Sequence, residues 1–144
     1  MATNVQVVFD CADPDRLARF WATALGYKLQ DPPEGYATWE DFLREIGVPE
    51  DRWDSASAAV DPDGVGPRIY FQKVPEGKTV KNRMHLDLNV GGDRSTPMEE
   101  RKARIHAEAE RLIGEGATQL GVVDEQGEYC LNMLDPEGNE FDLQ

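Results

Sequence analysis

Asp135-Pro136-Glu137-Gly138-Asn139-Glu140-Phe141-Asp142-Leu143 is a turn running into a strand, and it has a counterpart earlier in the chain: Asp61-Pro62-Asp63-Gly64, followed by Arg68-Ile69-Tyr70-Phe71-Gln72. Asp-Pro opens a turn, Gly relaxes it, and the alternating apolar residues behind it read as a strand. A motif that recurs in one chain calls for a search for a repeat. Upstream of the first turn, Val5-Gln6-Val7-Val8-Phe9-Asp10 is a β-branched run that meets Asp13-Pro14. Upstream of the second, Met84-His85-Leu86-Asp87-Leu88-Asn89-Val90 alternates with period two and meets Thr96-Pro97.

A helix follows each opening strand. Asp13 caps the first with Pro14 at the first helical position, where its missing N–H costs nothing. Leu17, Phe20, Trp21 and Ala24 share one face, and Gly26 is the stop. Thr96 and Glu99 have capping-box spacing around Pro97. Ile105, Ala109, Leu112 and Ile113 form the second stripe, ended by Gly114 or Gly116. With the strand after each helix, the turn and the final strand, each half reads as βαβββ. The expected class is α+β: two tandem βαβββ modules pairing into a curved mixed sheet with helices on the outer face. Module one spans about 1–73, a connector with Pro75 and Gly77 about 74–82, and module two about 83–144, all within one domain. Pairing is expected because a module of about 70 residues buries little surface alone.

The first half carries an extra segment, Tyr36 to Asp54. Thr38 caps a short helix through Phe42, Leu43 and Ile46, and Gly47 and Pro49 stop it. Two readings stand for its Trp39 and Trp53: a lid over a pocket, or a packing element with tryptophan in the core.

The 144 residues, 40% hydrophobic and 30% charged, suit one folded domain and are too apolar for a disordered acidic tail. The net charge of −13 repels phosphate backbones and anionic membranes, and the densest basic stretch holds only Lys78, Lys81 and Arg83. Neither nucleic acid nor membrane is therefore an expected partner. Cys11 and Cys130 form no CxxC and read as small buried hydrophobes. Met1-Ala2-Thr3-Asn4 has no basic region leading into an apolar one, so a soluble, cytoplasmic protein is expected. Gly114-Glu115-Gly116 fails as a dinucleotide fingerprint, because Gln119 stands at the third glycine position and the segment ends a helix.

Alternation sets Leu86, Leu88 and Val90 against one helix and turns His85, Asp87 and Asn89 the other way; Phe141 and Leu143 oppose Glu140 and Asp142 in the same sense. In the first half, Gln6, Val8 and Asp10 lie opposite the helix-facing side, with Tyr70 and Gln72 or their neighbours. An antiparallel sheet often wets one face without chemistry. An imidazole, a carboxylate and amides on such a face are also an oxygen and nitrogen donor set for a divalent cation. His106, on a charged helix surface, reads as solvated.

The grammar resembles the vicinal oxygen chelate superfamily, and within it the glyoxalase-like branch. The resemblance rests on Asp13-Pro14-Asp15-Arg16-Leu17-Ala18-Arg19-Phe20-Trp21 with Leu25-Gly26, on Asp61 to Pro67, on Lys78 to Leu88 and on Asp135 to Phe141. It implies a cleft between paired modules and a metal held from their first and last strands, at positions that fall on Gln6, Gln72, His85 and Asp142. The implied cofactor is one divalent ion, zinc, nickel, iron or manganese. Two amides among the ligands depart from the family's usual His or Glu, so a chain with no metal is the alternative. The implied activity is that of a metal-assisted lyase, isomerase or dioxygenase acting on a small vicinal-oxygen substrate. The rival is a metal-free protein that binds or sequesters a small molecule, as resistance members do. Trp39, Trp53 and Tyr70 are candidates for the cleft wall and Arg83 for an anionic substrate group. No catalytic residue is assigned, and the resemblance alone implies a homodimer.

Overall fold

The computed structural model describes all residues from Met1 to Gln144. The chain divides into two compact units, Met1–Gly77 and Lys78–Gln144, with the division inside the expected connector.

In the first unit β1 (Val7–Cys11) leads into α1 (Pro14–Leu25), followed by β2 (Lys28–Leu29), α2 (Trp39–Glu45), a 3-10 turn at Glu50–Arg52, β3 (Ala56–Val60) and β4 (Ile69–Lys73). The sheet order is β1-β4-β3-β2, with β1 and β4 parallel and the other pairs antiparallel. α1 starts where its sequence says: Asp13 Oδ1 accepts from the Arg16 N–H at 3.2 Å, Pro14 is the first helical residue, and Gly26 ends it at φ 69°. That left-handed conformation is one glycine adopts freely. Leu17, Phe20 and Trp21 are buried, as are Ile69 and Phe71 of the sheet, and Phe9 stacks on Phe71 at 5.5 Å and lies tilted 5.2 Å from Trp21. Each fully buried large side chain contributes roughly 1.5–3 kcal/mol. Val5 lies before β1 and is exposed, so the helix-facing set begins at Val7.

The second unit repeats the plan. β5 (Leu86–Leu88), α3 (Met98–Gly114), β6 (Thr118–Glu125), β7 (Glu128–Leu134) and β8 (Glu140–Leu143) form a sheet of order β5-β8-β7-β6, with β5 and β8 parallel. Ile105, Ala109 and Leu112 are buried, as are Leu88, Leu131, Met133, Phe141 and Leu143 of the sheet. Two expectations fail here. Ile113 is 45% exposed, beyond the edge of the buried stripe. Thr96 does not cap α3: the cap position is Pro97, with no side-chain bond. Asp93 explains the slip, because its carboxylate accepts from the Ser95 N–H and hydroxyl and from Thr96, closing a turn that uses up the threonine hydroxyl.

The repeated Asp-Pro turns owe their likeness to the aspartate. Asp61 accepts from the N–H groups of Asp63, Val65 and Gly66 at 2.7–3.1 Å. These backbone bonds hold its carboxyl below the usual carboxylate range. Asp135, 3% exposed, accepts from the N–H groups of Glu137 and Asn139 and from the Asn139 amide. Each fixes the entry of the last strand of its sheet. No helix is long and apolar enough to cross a membrane.

Candidate metal centre and aromatic groove

In the second unit the alternation of β5 and β8 brings an acidic cluster together on the face away from α3. β5 and β8 pair with Asp87 level with Asp142, and β8 and β7 with Asp142 level with Asn132. His85, in the residue just before β5, places Nε2 3.1 Å from Asp87 Oδ1 and 3.5 Å from Asp142 Oδ2. One potential ligand atom from each of the three lies within 4.8 Å of the others. Asn132 Nδ2 donates to Asp142 Oδ1 at 2.8 Å, so one carboxylate oxygen is oriented while the other is near the imidazole. The expected pair, His85 and Asp142, is therefore brought together. Asp87, read from the sequence as sharing that face but not as a ligand, joins them.

Two neighbours define the electrostatics. Cys130 is half-buried and free, and burial, then the Asp142 and Asp87 carboxylates, push its thiol up in pKa. It stays protonated and is a poor ligand. Glu140 accepts from the Asn82 backbone N–H at 3.0 Å and pairs with Lys78 at 3.1 Å. Its carboxyl is held down to about 2, mainly by the Asn82 bond. That contact pins the segment leading to His85.

The first unit places the other expected residues. Gln6 and Gln72 both lie on the face away from α1, but β1 and β4 pair with Asp10 level with Gln72, so Gln6 sits level with Arg68. The two amides are thus four residues apart along the strands, about 13 Å. The Gln6 oxygen accepts from Arg68 Nη1 at 2.8 Å. In the repeated frame Gln6 takes the place of His85, and two residues further on Val8 is paired with Tyr70 as Asp87 is with Asp142. The register thus corrects the equivalence: the counterpart of Asp142 is Tyr70, not Gln72.

The same face of this sheet bounds a groove of about 1140 Å³, closed on its other side by α2 and the 3-10 turn. Trp39, Trp53 and Tyr70 all line it, with Leu43, Gln30 and Arg68. Neither tryptophan belongs to the core: Trp39 is 37% exposed and Trp53 half-buried. Their indole N–H groups are fixed to the carbonyls of Gln30 at 2.9 Å and Val48 at 2.8 Å. Thr38 caps α2 as expected, accepting from the Asp41 N–H at 3.1 Å. Arg83, exposed in the bend before His85, does not line this groove. Sequence reasoning missed Arg68 and Gln30, whose meeting depends on β4 and β2 being two strands apart in one sheet. His106 is not simply solvated, since its Nε2 lies 2.5 Å from the Tyr129 hydroxyl.

The glyoxalase-like domain family matches residues 6–144. No curated protein matches the sequence. Among solved structures, a possible glyoxalase from Bacillus cereus is 13% identical, with 100% of this chain and 99% of that one covered at a TM-score of 0.59. The fosfomycin resistance protein FosX from Mesorhizobium loti is 11% identical, with 100% and 91% covered at 0.61. A Listeria monocytogenes FosX, complexed with Mn(II) and dihydroxypropylphosphonic acid, is 10% identical, with 100% and 92% covered at 0.60. At these identities the structures speak for the fold. The family match spans nearly the whole chain, and the βαβββ units carry the same order twice, so the chain belongs to the glyoxalase-like domain family of the vicinal oxygen chelate superfamily.

Proposed function

We propose that the protein binds a divalent cation at His85, Asp87 and Asp142 and acts with it on a small oxygenated molecule, as a metal-assisted lyase, isomerase or oxygenase. The convergence of one imidazole and two carboxylates within 4.8 Å carries this reading. The donor set fits: hard oxygens with one imidazole suit manganese, iron, nickel or zinc, and two carboxylates balance a double positive charge. A bound ion would supply Lewis acidity toward vicinal oxygens of the substrate. The chain's own part is to orient the donors, with Asn132 holding Asp142 and Glu140 holding the segment before His85. The Mn(II) in the FosX complex supports the reading by analogy. Gln6 and Gln72 are left out of the set: the Gln6 oxygen is engaged by Arg68, and Gln72 pairs with Asp10, away from the strand position equivalent to Asp142.

Calorimetric titration of EDTA-treated, metal-free protein with Mn²⁺ tests this. About one ion per chain is expected, with affinity reduced at least tenfold, about 1.4 kcal/mol, in His85→Ala and in Asp142→Asn. No binding at millimolar Mn²⁺ and Zn²⁺, or binding that survives both substitutions, would sink the proposal. The second reading, a metal-free binding protein, is favoured by the aromatic groove, whose walls need no ion. On that reading EDTA leaves the melting temperature unchanged, whereas an ion bound only by the folded state raises it.

A further inference from the structure

We infer that the groove of the first unit takes a flat aromatic molecule carrying one oxyanion, a carboxylate in the simplest case, with its rings among Trp39, Trp53 and Tyr70 and its oxyanion on Arg68. This names the ligand class for the small-molecule reading above and rests on it.

Arg68 carries the inference. It is half-buried, lines the groove, and lies with its guanidinium carbon 5.3 Å from the Tyr70 ring centre. Its Nε donates to Gln30 Oε1 at 2.7 Å and its Nη1 to Gln6 Oε1 at 2.8 Å. A guanidinium has five N–H donors, so three remain. Arg19, Arg44, Arg104 and Arg111 each pair with a carboxylate on their own helix. Arg68, in a chain with 28 acidic residues, is held instead by two neutral amides. Amides fix the direction of the fork and leave its charge whole, which suits a site for a planar oxyanion. Of the acidic groups along the groove, Asp15 is paired with Arg19 and Asp54 with Lys73, while Glu40 is exposed.

The walls agree with a flat partner. Both indole N–H groups are already bonded to backbone carbonyls, so what Trp39 and Trp53 offer a ligand is ring surface. The volume, about 1140 Å³, gives ample room for a two-ring molecule, since small-molecule sites run to about 1,000 Å³. The repeat sharpens the point: where the second unit has His85, Asp87, Glu140 and Asp142, the first has Gln6, Val8, Arg68 and Tyr70 at the equivalent places of its sheet. One frame thus carries an acidic, cation-attracting set in one half and an arginine with aromatics in the other.

Titration of the EDTA-treated chain with naphthoate and with its uncharged amide, naphthamide, followed by calorimetry, tests this. Naphthoate is expected to bind at least about tenfold more tightly. Arg68→Gln should abolish that preference, with naphthoate losing far more affinity than naphthamide, and Trp53→Ala should weaken both probes. Arg68→Lys keeps the charge without the fork, and should retain part of the preference if the variants are folded. Equal affinity of the two probes, a naphthoate preference surviving in Arg68→Gln, or no binding of either overturns the inference. EDTA removes any ion and the readout is binding, so failure here leaves the Mn²⁺ titration of the His85 cluster to stand or fall by itself.

Discussion

Glu140 joins a strand to a segment with no regular structure, accepting the Asn82 N–H and the Lys78 ammonium with only 17% of its side chain exposed. Its carboxyl sits near 2 in the folded chain, against an ordinary value of 4.5. A depressed folded pKa means stability that is complete above the unfolded value and is lost as pH falls from about 4.5 through about 2. Glu140→Gln, whose amide oxygen still accepts from Asn82, should therefore cost on the order of 2 kcal/mol at pH 7, and that cost should shrink steadily below pH 4.5. Urea denaturation of both proteins from pH 7 to pH 3 measures the gap; a gap independent of pH would show that the charge of Glu140 does not carry the contact. Strand alternation placed Glu140 on the polar face, as it placed His85 and Asp142. Its partner was not legible, because Asn82 contributes a backbone N–H from a stretch without periodicity. Asp87 was visible on the same face, but only the pairing of β5 with β8 sets it level with Asp142.

Elements were legible where local chemistry and tertiary packing asked for the same boundary. α1 has its aspartate cap, its proline, an apolar stripe and a glycine stop in agreement, and α2 starts at Thr38 for the same reason. α3 starts late because Asp93 competes for the hydroxyl that the capping box needs. The β6–β7 hairpin shows a local conflict that survives in the fold. Its two turn residues, Gln126 and Gly127, have φ of 54° and 77°. Positive φ at both central positions is the turn that matches strand twist, and it favours Asn-Gly. A glutamine there pays for a left-handed backbone without the short side chain that eases it. Gln126→Asn should stabilise the chain by about 0.5 kcal/mol and raise Tm by about 1–2 °C in a thermal scan. A lower Tm would mean that the Gln126 side chain makes a contribution larger than the backbone relief.

For the molecule as a whole, the repeat was legible as order and type of elements, while the register between the halves was not. From Gly64 to Tyr70 is six residues and from Gly138 to Asp142 is four, and the two additional ones are folded into the first turn by Asp61, which binds the N–H groups of Val65 and Gly66. Counting four residues on from Gly64, the spacing of Gly138 to Asp142, reaches Arg68, two short of Tyr70, so spacing in the sequence alone misses the equivalence that the strand register shows. What the sequence states without ambiguity is the charge, −13, and that charge acts on both sites with opposite sign. A field of this sign concentrates cations around the His85 cluster and repels anions from the Arg68 groove. Salt screens it, since the Debye length falls from about 30 Å at 0.01 M to about 10 Å at 0.1 M. Mn²⁺ affinity should accordingly fall several-fold between 10 mM and 300 mM KCl, naphthoate should lose less or gain, and naphthamide should be indifferent. Parallel titrations at the two salt concentrations give the comparison. Equal losses for Mn²⁺ and naphthoate would mean that each site responds only to its nearest charges, so that the long-range field of the acidic chain has no share in selecting what binds.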